Sequence, residues 1–143
     1  MDYINNLIKE INKIEEKHRN NECYYKVIPS LGKYYDWSLP PEYKRGLLAG
    51  MKPEWSMSSD IYYLMINFYE QVTGHRPEVN FQLNNRATHK LMRCLDIGDK
   101  EKKAIAHLFI KCTEISEPKR IRNASELINT EAFRYLIEKN PNC

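Results

Sequence analysis

Apolar positions recur along most of this chain at the three-and-four spacing of amphipathic helices, and one stretch is apolar well beyond that spacing. In residues 58–74, SSDIYYLMINFYEQVTG, a projection at about 100° per residue puts Ile61, Leu64, Met65, Ile66, Phe68, Tyr69 and Val72 on one broad face. Only Tyr63, Asn67, Glu70 and Gln71 are left for water. A helix this apolar is stable in water only when neighbours cover it on two or three sides, so the pattern predicts a central core helix over 60–73. Ser59 or Asp60 is the expected N-cap, and Gly74 the left-handed terminator, with Arg76-Pro77 preventing resumption.

The flanking segments supply the cover. Residues 2–20 predict a helix capped by Asp2, with Ile4, Leu7, Ile8, Ile11 and Ile14 on one stripe and Asn20-Asn21 at its end. Residues 81–96 predict a second amphipathic helix, buried through Leu83, Ala87, Leu91, Cys94 and Leu95. Residues 100–115, capped by Asp99 after the break at Gly98, carry a wide apolar arc of Ala104, Ile105, Leu108, Phe109, Cys112 and Ile115. The last segment keeps no single stripe. A break at Asn129-Thr130 resolves it into two short helices, one capped by Asn123 or Ser125 and one by Thr130 that buries Ala132, Phe133, Leu136 and Ile137.

Between 22 and 57 the periodicity disappears and Pro and Gly punctuate the chain. One short helix is expected from Glu42, with Pro41 at its first position and Gly50 at its end, and 24–28 could form an isolated strand without a partner. Long irregular segments inside compact domains are held down by their own side chains. Tyr24, Tyr25, Tyr34, Tyr35, Trp37, Tyr43 and Trp55 are available for that, and they alternate with Lys26, Lys33, Lys44, Arg45 and Lys52. Such alternation fits loop pinning first; a partner surface or a base-stacking surface built on Tyr34, Tyr35, Trp37, Tyr43 and Trp55 is the functional reading. The expected fold is all-α: a compact single domain, residues 1–143, of about five to seven helices around helix 60–73, with an irregular aromatic-rich segment at 22–57.

Composition narrows the chemistry. A chain of 143 residues with 42% hydrophobic and 29% charged side chains can bury a core without staples. The four cysteines form no CxxC pair, no apolar run is long enough to span a bilayer, and the opening residues do not read as a signal peptide. These features point to a cytoplasmic chain with reduced thiols, and Asn123-Ala124-Ser125 then reads as a helix cap. His89, Cys94, His107 and Cys112 are metal-ligand types, and ATHKLMRCLDI (87–97) resembles IAHLFIKCTEI (105–115) within the chain. A His and a Cys five apart on a helix point away from each other, so buried thiols with solvated histidines are expected and no metal site. No GxSxG and no glycine-rich phosphate loop occurs among the five glycines, so neither an enzyme nor a cofactor is expected.

The net charge of +3 is uneven: residues 1–80 carry ten Lys/Arg against eleven Asp/Glu, residues 81–143 twelve against eight. Within 81–96, Arg86, His89, Lys90 and Arg93 stand at i, i+3, i+4 and i+7, with Gln82 and Asn85 nearby and no acid before Asp96. A solvated face normally mixes signs, so this stripe is the strongest local signal of binding. Two functions follow. The chain is a small non-enzymatic helical module that regulates a partner protein, with a size and an Asn, Lys and Tyr richness compatible with an accessory protein of a virus, phage or mobile element. The alternative is a DNA- or RNA-binding protein in which the stripe, with Lys119, Arg120 and Arg122, contacts phosphates while Gln82, Asn85 and His89 approach bases. The pI near 8.6 weighs against that alternative.

Overall fold

The computed structural model describes residues 2–25 and 38–141. Seven α-helices occur among them: α1 (Tyr3–Arg19), α2 (Pro41–Leu48), α3 (Met57–Thr73), α4 (Arg86–Cys94), α5 (Asp99–Cys112), α6 (Ala124–Ile128) and α7 (Glu131–Lys139). No strand occurs among the described residues. Tyr24 and Tyr25 are not in a strand, and 26–28 lie outside the described residues.

Helix α3 is the centre. It packs against α1, α4 and α5, while α5 packs on α7 and α1 on α6. Ile61, Met65 and Ile66 have no exposed surface, and Tyr69 stacks on Phe109 of α5 with ring centroids 5.5 Å apart. The helix begins three residues earlier than the periodicity suggests. Its cap is Ser56, whose hydroxyl accepts from the Ser59 amide while Ser59 returns a bond to the Ser56 amide. Ser59 therefore serves in the first turn and Asp60 does not cap at all. Gly74 ends the helix at φ 75°, a conformation that costs a side-chain-bearing residue most.

The strip reserved for water on α3 is covered at Tyr63, while Gln71 remains exposed. Tyr63 is half-buried because Tyr25 and Trp55 lie on its ring at 4.7 and 5.8 Å, and Tyr43 continues the row at 5.2 Å from Trp55. The aromatic segment thus covers the N-terminal half of this side of α3. Gly46 shares in this closure: a Cβ there would come within 2.8 Å of the Pro53 ring, so its absence lets residues after α2 fold back onto the helix.

Other caps follow the sequence: Asp2, Asn123 and Thr130 accept from the amides of Asn5, Glu126 and Phe133. Two details differ. Gly98 is the cap of α5 and Asp99 its first residue, favourable at the positive end of the helix dipole. The 81–96 helix is broken into a 3-10 turn, Phe81–Leu83, and the nine-residue α4. Its apolar stripe does not run through the break, so Leu83 is exposed; Cys94, expected to be buried, is also exposed, and Leu95 takes the buried place. Cys112 is buried as expected, and burial pushes its thiol pKa up. The two similar segments therefore place their cysteines differently.

Candidate functional site

Two buried polar centres hold the N-terminal end of α3, and a surface groove lies beside one of them. The first centre is Asp60, which has no exposed surface. Its Oδ2 accepts from His18 Nε2 at 2.7 Å and the Tyr24 amide at 2.6 Å; its Oδ1 accepts from the Tyr25 amide at 3.0 Å and Trp55 Nε1 at 2.8 Å. Four N–H groups from three separate parts of the chain thus satisfy one carboxyl. On the far side of the imidazole, Nδ1 accepts from the Ala124 amide at 2.9 Å, which places the ring proton on Nε2, facing Asp60. Through His18 the centre joins α1, α3, the aromatic segment and α6. His18 continues the α1 stripe four residues after Ile14, and that spacing is the one sequence signal that marks it as buried.

The second centre is Arg120, expected on the basic connector and found 1% exposed. Its Nη1 and Nη2 grip Glu42 of α2 in a fork at 2.8 and 2.9 Å, Nε and Nη2 donate to the Glu114 carbonyl, and Nη1 reaches Ser58 Oγ. The guanidinium lies over the Tyr62 ring at 4.9 Å. Burial pushes the Tyr62 hydroxyl up to about 12, partly offset by its bond from Gln82 and by Arg120. Arg120 is a tie between helices and is removed from any phosphate-binding surface.

Glu42 and Glu117 meet at this centre. Burial pushes Glu42 upward, but the bonds to Arg120 outweigh it and the carboxyl titrates below its ordinary range. Glu117 titrates above, from burial and from its hydrogen bond and repulsion with Glu42. Lowering on Glu42 gives stability that is present above its unfolded pKa and lost as pH falls through the folded one. Raising on Glu117 means the native state holds a proton the unfolded chain has released, so that part is lost as pH rises. The pair's own contribution to stability is therefore greatest between the two folded titrations, in the ordinary carboxyl range. Glu117→Gln keeps a donor for Glu42 without the titration; its melting temperature should exceed wild type more at pH 8 than at pH 5. An equal difference at both pH values would refute the shared-proton pair.

The binding residues read from the sequence separate into groups. Gln82 is half-buried and donates to the Tyr62 hydroxyl and the Thr113 carbonyl, so it is not presented to bases. Arg86 leans to Glu78 at 3.8 Å and Arg122 to Glu126 at 2.9 Å, both at the surface. Asn85, His89, Arg93 and Lys119 are exposed and Lys90 half-exposed, and among the described residues none of these four basic side chains forms an ion pair. The aromatic surface is reduced as well. Tyr43 is buried and Trp55 is bonded to Asp60, while Tyr34, Tyr35 and Trp37 lie outside the described residues.

Beside the Arg120 centre, α2 and the turn at 77–82 enclose an open groove of about 320 Å³, bounded by Arg45, Leu48, Pro77, Val79, Phe81 and Ile115. Leu48 is 68% exposed and Val79 58%, and the adjoining Leu83 is 74% exposed. Asn80, at φ 59°, turns the backbone that presents Val79. Lys44 and Glu78 also border the groove, the latter engaged by Arg86.

Comparison of the chain with protein-family models, with curated proteins and with solved structures finds no match in any of the three. Among the described residues no helix is long and apolar enough to cross a membrane, and no three His, Cys, Asp or Glu side chains gather to hold a metal ion.

Proposed function

We propose that this protein is a helical binding module that regulates a partner protein, and that the groove between α2 and the 77–82 turn receives a short amphipathic segment of that partner. The observation that carries this reading is the exposure of Leu48 and Val79, both of which line one concave surface. Large apolar side chains scattered singly on a surface need no explanation, whereas two gathered in the lining of one groove do. The volume suits one or two large side chains of a docked segment. Arg45 at the rim, with no acidic partner among the described residues, favours acidic residues flanking those anchors.

The groove is also held on a rigid base. Glu42 lies on the helix that supplies Arg45 and Leu48, and its fork with Arg120 fixes that helix against the core. A surface whose backbone does not need ordering on contact loses less entropy when it binds.

Peptide display against the wild-type protein, with counter-selection on Leu48→Asp/Val79→Asp, tests this reading with random sequences standing in for the partner. Enriched sequences should share two apolar anchors with acidic neighbours, and should bind the double variant at least about ten-fold more weakly while its melting temperature is unchanged. Failure to enrich any sequence, or enrichment of sequences indifferent to the two substitutions, would overturn it.

A further inference from the structure

The burial of Arg120 and the internal bonds of Gln82 take two of the expected residues from the nucleic-acid surface read in the sequence, and a second surface has the parts that chemistry needs. Along the outside of α5, Lys100, Lys103, His107 and Lys111 stand at i, i+3, i+7 and i+11 and are all exposed. They form one row, roughly 16 Å long at 1.5 Å per residue. Among the described residues none of them forms an ion pair, although α1 and α6 each support an exposed arginine with a glutamate one turn away.

This arrangement is unfavourable for the helix alone. Like charges one turn apart repel, and Lys100, Lys102 and Lys103 lie at the end of α5 where the helix dipole disfavours cations, offset by Asp99 and Glu101.

The row borders a shallow groove of about 360 Å³ between α5 and α7, lined by Lys100, Lys103, Ala104, His107, Ala132 and Tyr135, with Glu131 at one end. Ala104 and Ala132 keep its floor low, and the half-buried Tyr135 supplies an aromatic wall. The Lys139 ammonium lies 5.7 Å from the centre of that ring, adding a cation on the α7 side. Cations on both sides of a low floor with an aromatic wall match a strand that offers phosphates at its edge and a flat base to the groove. A duplex keeps its bases stacked inside and has no use for the aromatic wall.

We propose that the α5–α7 groove binds single-stranded nucleic acid, with Tyr135 receiving a base and Lys100, Lys103, His107 and Lys139 contacting phosphates. This site is separate from the α2 groove and does not depend on it.

The test is fluorescence anisotropy with a labelled twelve-nucleotide single strand, its duplex, and unlabelled polyglutamate of matched charge as competitor, at 50 and 200 mM salt. The single strand should bind more tightly than the duplex, with a steep salt dependence. Lys100→Ala/Lys103→Ala should weaken binding at least ten-fold and shallow the salt slope by about 0.7 per lost phosphate contact. Tyr135→Leu should weaken binding about ten-fold with the slope unchanged, and thermal melting confirms that this variant is folded. Leu48→Asp/Val79→Asp should bind the strand as wild type does. Absence of binding at 50 mM salt, equal binding of duplex, indifference to the lysine substitutions or to a folded Tyr135→Leu, or equal displacement by polyglutamate would overturn the proposal.

Discussion

Replacing Asp60 with alanine should destabilise the protein by about 4 kcal/mol or more, enough to unfold a domain of ordinary stability at moderate temperature. The magnitude follows from the partners left behind. Four buried or half-buried N–H groups, from His18, Tyr24, Tyr25 and Trp55, lose their acceptor together. Each stranded donor costs about 1–3 kcal/mol unless water reaches it. Asp60→Asn should cost less, about 2–4 kcal/mol, because its carbonyl still serves one pair of donors while its amide faces the other pair. Urea denaturation followed by circular dichroism gives both values. A loss below about 1 kcal/mol for the alanine variant would show that water replaces the carboxyl readily and that the centre does not hold the segment. His18→Ala should remove the link between Asp60 and α6 while α1 still packs on α6 and the Trp55 and tyrosine amide bonds to Asp60 persist.

The second large effect is expected at Arg120. Arg120→Met should cost about 3–5 kcal/mol, the usual range for removing one partner of a buried pair. Glu42 keeps 24% of its side chain exposed, so the stranded carboxylate can rehydrate and the lower end applies. Arg120→Lys should recover little, since one ammonium cannot reproduce the fork on Glu42 together with the Glu114 carbonyl. Adding Glu42→Gln to Arg120→Met should return part of the loss, because the uncompensated charge is then gone. A double-mutant cycle in urea measures that coupling, and additive costs would mean the two side chains do not act as a pair. Each variant should also loosen α2 and weaken peptides selected on its groove.

The local elements are legible because their determinants are local. The α1 stripe, the apolar excess of α3, the caps Asp2, Asn123 and Thr130, and the break at Asn129-Thr130 are properties of residues within one or two turns of each other. The 81–96 helix is overextended in sequence for the same reason: periodicity continues across a turn that only packing interrupts. The left-handed Asn80 and the lodging of Phe81 against Phe109 place that break.

Charged side chains are less legible than apolar ones. Arg120 sits in the run Lys119, Arg120, Ile121, Arg122, where nothing local distinguishes it from the other cations, yet it is buried while Lys119 and Arg122 are exposed. Its acceptor Glu42 lies 78 residues away, and Asp60 meets donors up to 42 residues away. A carboxyl or guanidinium enters a core only when several partners converge on it, and convergence belongs to the tertiary structure.

By itself, the sequence determined that this protein is helical, which helix lies at the centre, and where most helices start and stop, since periodicity and capping are short-range. Only the tertiary structure decided which charges are consumed inside and which remain at the surface. The row on α5 became visible once its cations were found without ion pairs among the described residues, and the stripe on α4 shrank once Arg86 was found leaning to Glu78. The free energy of a charged group depends on what surrounds it in space, and that is set by contacts between distant parts of the chain.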